Sequence, residues 1–145
     1  FYLAGHETTS NALAWTLYLL SEQQQLQHSL AEEARDTLSS PAWETEPVTT
    51  SLPRLHAVLQ EALRLYPPAP RFDRQAAGED ELPNGARVGP GHVVSVWPWL
   101  LHRSRLLWDN PDAFDPERFD PGKPRPGRFQ YLPFGAGPRI CVGAQ

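Results

Sequence analysis

The first twenty residues of the chain are mostly apolar, with one polar run in the middle. Their hydrophobic spacing predicts a mostly buried helix over residues 1–20. The polar run, residues 6–11, follows Gly5, and a glycine inside a helix costs about 1 kcal/mol relative to alanine. Such local conflicts concentrate at functional sites, so the pattern predicts a functional segment in this helix.

Two more helices are predicted from apolar stripes and boundary signals. Ser21 and Gln24 resemble a capping box that starts the second helix. Its hydrophobic stripe leaves three acidic residues facing solvent, namely Glu32, Glu33 and Asp36. A third helix is predicted to begin at Pro53 and to end before the Pro67-Pro68 pair. Its apolar face comprises Leu55, Val58, Leu59, Ala62 and Leu65.

Beyond Arg74, turn residues and β-branched residues replace helical spacing. The turn signals Pro83-Asn84-Gly85 and Gly89-Pro90-Gly91 bracket a short predicted strand at residues 87–88. A second strand is predicted over residues 92–97, and the two strands together predict a hairpin. We find no repeat and no linker. The fold class predicted is therefore mainly α with a small β-hairpin region, an α+β arrangement.

Composition excludes several classes of protein. Hydrophobic residues make up 40% of the chain and charged residues 21%, which argues against disorder. The net charge of −4 does not suggest a nucleic-acid binder. A single cysteine, Cys141, excludes an internal disulfide, and no apolar run reaches the ~18 residues of a membrane span. The sequence contains no Met and begins with Phe1, so we expect a processed chain or, in preference, a fragment of a longer protein.

The residues around Cys141 carry the strongest chemical signal. Gly135 and Gly137 permit backbone turns that other residues avoid. A cysteine held in such a loop, beside the cation of Arg139 and close to backbone N–H groups, would favour the thiolate. A thiolate with one open side is a candidate haem ligand. Taken alone, Cys141 is better explained as a structural cysteine after a turn.

The ten residues from 134 to 143 resemble the haem-binding loop of the cytochrome P450 family, F-x-x-G-x-R-x-C-x-G. Phe134, Gly137, Arg139, Cys141 and Gly143 match its five fixed positions. The resemblance implies that Cys141 is the thiolate ligand of the iron in haem b (iron protoporphyrin IX). It also implies that Arg139 pairs with a haem propionate, that Phe134 packs beside the sulfur, and that Gly143 lets the following helix approach the porphyrin.

A charged pair on the third predicted helix resembles a second motif of that family. Glu61 and Arg64 stand three residues apart, where side chains on a helix can pair; alone, such a surface pair contributes roughly 0.5 kcal/mol or less. They are similar to the family's E-x-x-R motif, and the segment 116–119 is similar to its P-x-R-F-like segment. The resemblance implies a buried ion pair, completed by Arg118, that holds the fold and takes no part in the chemistry.

Residues 4–9, Ala-Gly-His-Glu-Thr-Thr, are similar to the family's oxygen-activation segment. By this resemblance Glu7 relays protons from solvent, Thr8 holds dioxygen and its water, and Gly5 lets the helix pass close to the haem. We expect the glycine and the hydroxyl residues to open the helical hydrogen-bond ladder here. Arg74 occupies the place of a second propionate-binding arginine. Three residues would lie near substrate: Arg71, Phe72 and Asp73.

The resemblance covers residues 1–145 and implies a partial domain of the family, its C-terminal half, incomplete at both ends. The implied activity is that of a haem-thiolate monooxygenase, which inserts one atom of dioxygen into a small, lipophilic organic substrate. Electrons would come from a ferredoxin or a flavoprotein reductase, and no nucleic acid is expected. A basic docking face for an acidic partner would comprise Arg103, Arg105, Lys123, Arg125 and Arg128.

Two alternatives stay open: a haem-thiolate enzyme that uses peroxide or rearranges hydroperoxides, and a non-catalytic haem binder. We expect the 145 residues to be inactive alone and unable to bind haem stably. Localisation is unknown, cytoplasmic if the protein is bacterial and membrane-anchored if a hydrophobic helix precedes this chain. His102 and Arg103 match a common dipeptide of the family, and we expect His102 to be a packed loop histidine.

Overall fold

The structure, a computed structural model, describes residues 2–144, apart from the side chains of Ala42 and Val48. The first half is helical. It contains α1 (Tyr2–Ser21), α2 (Gln24–Leu38), a 3₁₀ helix (Pro41–Glu44), α3 (Val48–Ser51) and α4 (Pro53–Leu65). The second half contains β1 (Phe72–Gln75), β2 (Asp80–Glu81), β3 (Arg87–Val88), β4 (Val93–Val96), α5 (Pro98–Leu101) and 3₁₀ turns at Pro116–Phe119 and Gly137–Arg139. The predicted α+β fold class, mainly helical, is confirmed.

The strands pair differently from the prediction. β1 pairs antiparallel with β4, and β2 pairs antiparallel with β3, so the described residues form two sheets of two strands. The predicted hairpin between β3 and β4 is therefore wrong. β3 is only two residues long and is already paired with β2, so the Gly89-Pro90-Gly91 turn carries the chain from one sheet to the other.

Helix α4 forms the centre of the core, and its predicted limits are confirmed. It begins at Pro53 and ends at Leu65, just before the Pro67-Pro68 pair. Among the described residues, four of the buried hydrophobic ones lie on it, namely Ala57, Val58, Ala62 and Leu65, and the others are Trp108 and Leu132. α4 packs on α1 and on the 3₁₀ turn at residues 116–119, so it joins both halves of the chain.

Glu33 of α2 caps the start of α4. Its Oε1 accepts the backbone N–H of Arg54 at 3.0 Å, and its Oε2 accepts that of Leu55 at 3.1 Å. A carboxylate at this position satisfies N–H groups that lack helical partners and favours the positive end of the helix dipole. The prediction that Glu33 faces solvent is therefore wrong, since the residue is half-buried against the start of α4. Helix periodicity could not show this contact, because its partners lie more than twenty residues further along the chain.

The predicted capping box at Ser21 is also wrong. Ser21 is the last residue of α1, and its hydroxyl donates to the carbonyl oxygen of Tyr18 at 2.7 Å. α2 begins three residues later, after Gln23, which provides no side-chain cap. The side-chain amide of Gln27 donates instead to the carbonyl oxygen of Leu20 at 2.6 Å, which ties α2 to the end of α1.

Helix α1 differs from its prediction in burial and in continuity. Of its described residues only Thr16 is buried, whereas Leu3 is 74% exposed and Leu17 is 59% exposed. It packs against α4 and α2, and its Trp15 stacks on Tyr66 at 3.9 Å between ring centroids, but several of its apolar side chains stay exposed. The helix runs without interruption past Gly5, and the expected opening of the hydrogen-bond ladder is not seen. Within residues 2–144 no helix combines the length and hydropathy needed to cross a membrane.

Candidate functional site

A cavity of about 550 Å³ lies where α1, the end of α4, β1 and the Cys141 loop (residues 132–143) meet. Its volume falls within the range of about 300–1,000 Å³ typical of small-molecule and cofactor sites. α1 contributes Ala4, Thr8, Thr9 and Ala12 to its wall. Leu63, Pro68, Ala69 and Phe72 add an apolar surface, and the Cys141 loop forms much of the remainder.

The backbone of the Cys141 loop depends on its glycines, as predicted. Gly135 has φ of 73° and Gly137 has φ of 77°, both in the left-handed region that favours glycine. The N–H of Cys141 donates to the carbonyl oxygen of Phe134 at 3.0 Å, which closes the loop. Cys141 is a free, exposed cysteine whose residue lines the cavity. The loop therefore holds one thiol at an open site.

Two arginines reach the same cavity from different elements. Arg74 lies in β1, where its Nη1 donates to the carbonyl oxygen of Asp73 at 2.8 Å, and Arg139 ends the 3₁₀ turn of the loop. Of the three residues expected near substrate, Phe72 lines the cavity. Arg71 and Asp73 form an ion pair with each other at 3.3 Å and are not among the lining residues.

The structure brings part of the segment 4–9 to the cavity that contains the thiol. Thr8 lines the cavity together with Cys141, and its hydroxyl donates to the carbonyl oxygen of Ala4. Glu7 and Gly5 are exposed on α1 and are not among the lining residues. In the loop, Phe134 and Gly143 line the cavity and Gly137 does not. A Cβ built on Gly143 would lie 3.8 Å from the Cys141 sulfur, an ordinary contact.

Glu61 and Arg64 form a fully buried ion pair at the centre of the molecule. Both side chains are 0% exposed, and Arg64 Nε lies 2.7 Å from Glu61 Oε2. Arg64 Nη2 donates to Glu61 Oε1 at 2.8 Å, so the pair is bidentate. The other three guanidinium N–H groups donate to carbonyl oxygens of His102, Pro111 and Ala113. All five donors of Arg64 thus have acceptors, which is what burial of this cation requires.

The carboxylate of Glu61 also binds the segment that contains Arg118. Its Oε1 accepts the backbone N–H of Asp115 at 2.9 Å and lies 3.4 Å from Arg118 Nε. Arg118 Nη2 donates to the carbonyl oxygen of Asn110 at 2.9 Å. The structure thus brings Glu61, Arg64 and Arg118 together in one network, and that network fastens α4 to the loop at residues 110–119.

His102 is buried between α4 and the start of the Cys141 loop. Its ring nitrogens lie 3.1 Å from the carbonyl oxygen of Arg64 and 2.8 Å from the backbone nitrogen of Leu132. Burial, together with the nearby cations of Arg64 and Arg103, lowers the pKa of His102 to about 4. His102 is a packed histidine, as expected, and it is not among the residues that line the cavity.

Several residues of the site were not singled out from the sequence. Leu63, Pro133 and Leu132 line the cavity, and the hydroxyl of Tyr131 donates to the carbonyl oxygen of Gln60 at 2.8 Å. Burial and the negative charge of Glu61 raise the pKa of Tyr131. Leu132 and Pro133 directly precede the Cys141 motif, so their position next to it was the available signal. No signal in the sequence indicated the position of Tyr131.

The five basic residues expected to form a docking face differ in their surroundings. The guanidinium of Arg103 lies over the rings of Trp99 and Tyr66, at 4.4 and 5.4 Å from the ring centroids. Burial lowers its pKa. Lys123 and Arg125 line a second cavity of about 700 Å³ together with His56, whose pKa is lowered by burial and by Arg125. The remaining two, Arg105 and Arg128, are exposed.

Comparison with known proteins identifies the family. The sequence model described as Cytochrome P450 matches residues 1–145. The chain is 42% identical over 147 residues to Thromboxane-A synthase of Mus musculus, covering 100% of this chain and 27% of the relative. It is 40% identical to Cytochrome P450 3A12 of Canis lupus familiaris, covering 99% of this chain and 28% of that relative. The chain thus spans about a quarter of the length of these relatives.

A solved structure agrees with these sequence relationships. A zebra fish cytochrome P450, determined with progesterone, superposes with a TM-score of 0.83 at 36% sequence identity, covering 99% of this chain and 33% of that one. Both the sequence match and the fold therefore point to the same family. The chain belongs to the cytochrome P450 family.

Proposed function

We propose that the protein carrying this chain is a haem-thiolate monooxygenase that inserts one atom of dioxygen into a small organic substrate. One observation carries the proposal: the single cysteine of the chain and Thr8 of α1 line the same cavity, although they are more than 130 positions apart in the sequence. Family membership, which implies a haem cofactor, supports the same function.

The residues around the cavity fit haem b by their chemistry. A mostly apolar wall suits a porphyrin face, and the exposed thiol of Cys141 suits its iron. Two guanidinium groups, those of Arg74 and Arg139, suit its two carboxylates. Among residues 2–144 there is no cluster of three or more His, Cys, Asp or Glu side chains of the kind that holds a metal ion.

In this proposal each residue of the chain has a limited task. Haem, when bound, supplies the oxidation chemistry. Cys141 binds its iron as the thiolate, and Arg74 and Arg139 hold its propionates. Thr8 holds a water in the cavity and passes a proton inward, and Glu7, exposed on the same helix, takes that proton from solvent.

The remaining predicted site residues shape the cavity and hold the fold around it. Phe134 shields the thiolate, whereas Gly5, Gly137 and Gly143 leave room for the cofactor and for the turn of the loop. Three residues hold the fold around the Cys141 loop and do not react: Glu61, Arg64 and Arg118. Their buried contacts with α4 and with the loop at residues 110–119 support that assignment.

The experiment that tests this function is Thr8→Ala in the complete enzyme, with Thr8→Ser as the matched control that keeps the hydroxyl. We expect product formation to fall by about 10²-fold in the alanine variant, the lower end of general acid–base contributions. Less product should form per dioxygen consumed, and the serine variant should stay close to the parent. Unchanged turnover and unchanged coupling in the alanine variant would reject the role of Thr8.

The same surfaces support a class of substrate and a class of electron donor for this proposal. The apolar lining supports a lipophilic substrate, and the reaction requires electrons from a ferredoxin or a flavoprotein reductase. Four basic residues are proposed for the docking face: Arg105, Lys123, Arg125 and Arg128. Arg103 is a poorer member than expected, because its guanidinium is occupied by aromatic rings. Glutamate substitutions at the four positions should slow reduction, and unchanged reduction rates would reject the face.

One relative supports a second candidate function. The alternative is a haem-thiolate enzyme that rearranges hydroperoxides, and the 42% identical protein from Mus musculus is named as a synthase, Thromboxane-A synthase, and not as a monooxygenase. The two functions differ in their oxidant. Product formed from a hydroperoxide, and none from dioxygen with a reductant and electron donor, would favour the alternative.

The chain is proposed to be a partial domain, because it spans about a quarter of its relatives and leaves apolar side chains of α1 bare. Residues 1–145 expressed alone are then expected to bind haem poorly. The check is the reduced CO complex after haem is added. A red-shifted Soret band of thiolate-ligated haem in the isolated chain would contradict this expectation.

A further inference from the structure

His102 links the ion-pair network of α4 to the start of the Cys141 loop. It follows α5, is 0% exposed, and packs against the rings of Trp108 and Tyr131 at 6.5 and 5.2 Å between centroids. Its own carbonyl oxygen accepts Arg64 Nη1 at 2.7 Å, and its Nδ1 lies 3.1 Å from the carbonyl oxygen of Arg64. Two contacts therefore bind it to α4.

The third contact of His102 reaches the loop. Its Nε2 lies 2.8 Å from the backbone nitrogen of Leu132. Leu132 in turn accepts the N–H of Gly135 at 3.2 Å, and the carbonyl oxygen of Phe134 accepts the N–H of Cys141 at 3.0 Å. The imidazole is thus hydrogen-bonded to Leu132 at the start of the Cys141 loop. Two backbone hydrogen bonds within the loop, which meet at the adjacent residues Phe134 and Gly135, connect Leu132 to Cys141.

These partners fix the tautomer of His102. The carbonyl oxygen of Arg64 only accepts, so Nδ1 must carry the proton; the N–H of Leu132 only donates, so Nε2 must be bare. The charged groups facing the ring are the guanidiniums of Arg64 and Arg103, which disfavour a second positive charge, as burial does. The ring is accordingly neutral, with one hydrogen-bond donor and one acceptor in use.

We propose that His102 is a positioning residue for the thiolate ligand: its unprotonated Nε2 holds the N–H of Leu132 and so sets where the Cys141 loop begins relative to α4. The proposal rests on the proposed function in that Cys141 is taken as the haem ligand. Without the acceptor, the buried N–H of Leu132 would lose its partner and the start of the loop would shift.

Two variants separate positioning from packing. His102→Gln places an amide oxygen close to the position of Nε2 and keeps the acceptor, whereas His102→Asn keeps a donor close to Nδ1 and removes the acceptor. Both variants shrink the side chain and both remain neutral. In the complete enzyme we expect the glutamine variant to keep the red-shifted Soret band of the reduced CO complex, and the asparagine variant to lose much of it to a form without thiolate ligation.

Amide hydrogen exchange measures the same difference without haem. In the haem-free enzyme, the amides of Leu132, Gly135 and Cys141 should exchange about tenfold faster in the asparagine variant than in the glutamine variant, equivalent to about 1.4 kcal/mol. Global unfolding midpoints serve as the control for general destabilisation. Equal exchange rates and equal Soret bands in the two variants would overturn the proposal, because a residue that only fills space would affect both alike.

The unmodified enzyme offers a test that does not depend on a variant that folds. Long-range ¹⁵N–¹H correlation of histidine-labelled protein should show His102 as the Nδ1–H tautomer and neutral at pH 6. An Nε2–H tautomer, or titration close to the ordinary pKa of about 6.5, would overturn the proposal. Failure of the proposed function looks different: the enzyme would bind no haem through a thiolate, while the tautomer and the exchange rates would remain as expected.

Discussion

Two neighbouring regions of this chain use their polar groups in opposite ways. Around α4, Glu61 and Arg64 are completely buried, and every guanidinium donor of Arg64 has an acceptor within the chain. In the Cys141 loop, by contrast, Cys141 and Arg139 are exposed at an open cavity. In the first region the charged groups bind backbone segments to one another, and in the second the thiol and the guanidinium group remain accessible.

In the proposed function, this difference separates the residues that fix the geometry of the chain from the loop that would bind the cofactor. A fully satisfied buried network rigidifies its surroundings, whereas loss of one partner leaves an expensive unpaired charge. The loop obtains its shape from the left-handed glycines Gly135 and Gly137 and from short backbone hydrogen bonds. Changes in the network should therefore alter folding first, and changes in the loop should alter ligand binding first.

The largest functional effect is expected for Cys141→Ser in the complete enzyme. A serine hydroxyl does not supply thiolate ligation, so the red-shifted Soret band of the reduced CO complex and the monooxygenase activity should both disappear. Val142→Ala, at the neighbouring 75% exposed position, is the control and should keep both. Since the thiol lies outside the core, the unfolding midpoint of the haem-free serine variant should stay near that of the parent.

A large drop in the stability of the haem-free Cys141→Ser protein would contradict the distinction between the two regions. The Cys141 loop would then stabilise the fold as the buried network around α4 does. Retention of the red-shifted band would instead show that another group provides the axial ligand. These two outcomes are independent, and each contradicts a separate part of the assignment.

The largest effect on folding is expected for Arg64→Ala. It leaves the Glu61 carboxylate buried without its main partner and removes the donors from three carbonyl oxygens. The free energy of unfolding should fall by about 3–5 kcal/mol, measured by urea denaturation. The control is Arg87→Ala in the surface pair with Glu81, whose side chains are 88% and 59% exposed, where the change should stay within about 0.5 kcal/mol.

Similar stability losses in these two arginine variants would remove the distinction between buried and surface pairs on which the comparison rests. A stable Arg64→Ala protein that binds haem normally would also show that the network is dispensable for the loop.

The sequence predicted the local backbone geometry of both regions better than their long-range contacts. The limits of α4 followed from Pro53 and from the Pro67-Pro68 pair, because proline acts locally. The positive φ angles of Gly135 and Gly137 followed for the same reason. The contact of Glu33 with the start of α4 could not be predicted, because it depends on how two helices meet in space.

The remaining errors have related causes. The spacing of α1 described an apolar helix correctly but could not tell whether neighbours within this chain cover it. Strand partners were misassigned because turn residues at 89–91 signal a change of direction and do not specify which strands pair. Periodicity thus predicts elements, whereas pairing and burial depend on long-range contacts.

The pH dependence of the free energy of unfolding should show the contribution of His102, which packs against the ion-pair network of α4. Its pKa is about 4 in the folded chain and about 6.5 when unfolded. The neutral form therefore stabilises the fold: this contribution is complete above pH 6.5 and is lost as the pH falls towards 4. The loss attributable to His102 should be about 3 kcal/mol, measured as the difference between the pH–stability curves of the parent and of His102→Gln.

Carboxylates titrate in the same range but are present in both proteins, so the difference between the curves isolates the histidine. Parallel curves between pH 7 and pH 4 would contradict the low pKa of His102.

The smallest effect is expected at the cap of α4. Glu33→Ala removes the acceptor of the Arg54 and Leu55 N–H groups, and loss of a helix cap costs about 0.5–2 kcal/mol. Glu32→Ala, at the exposed neighbouring position of α2, has the same change in charge and serves as the matched control, with a change within about 0.5 kcal/mol. Since α4 carries Glu61 and Arg64, the difference between these two variants measures how far the stability of their ion-pair network depends on α2. Equal losses would mean that the cap by Glu33 contributes nothing to that stability.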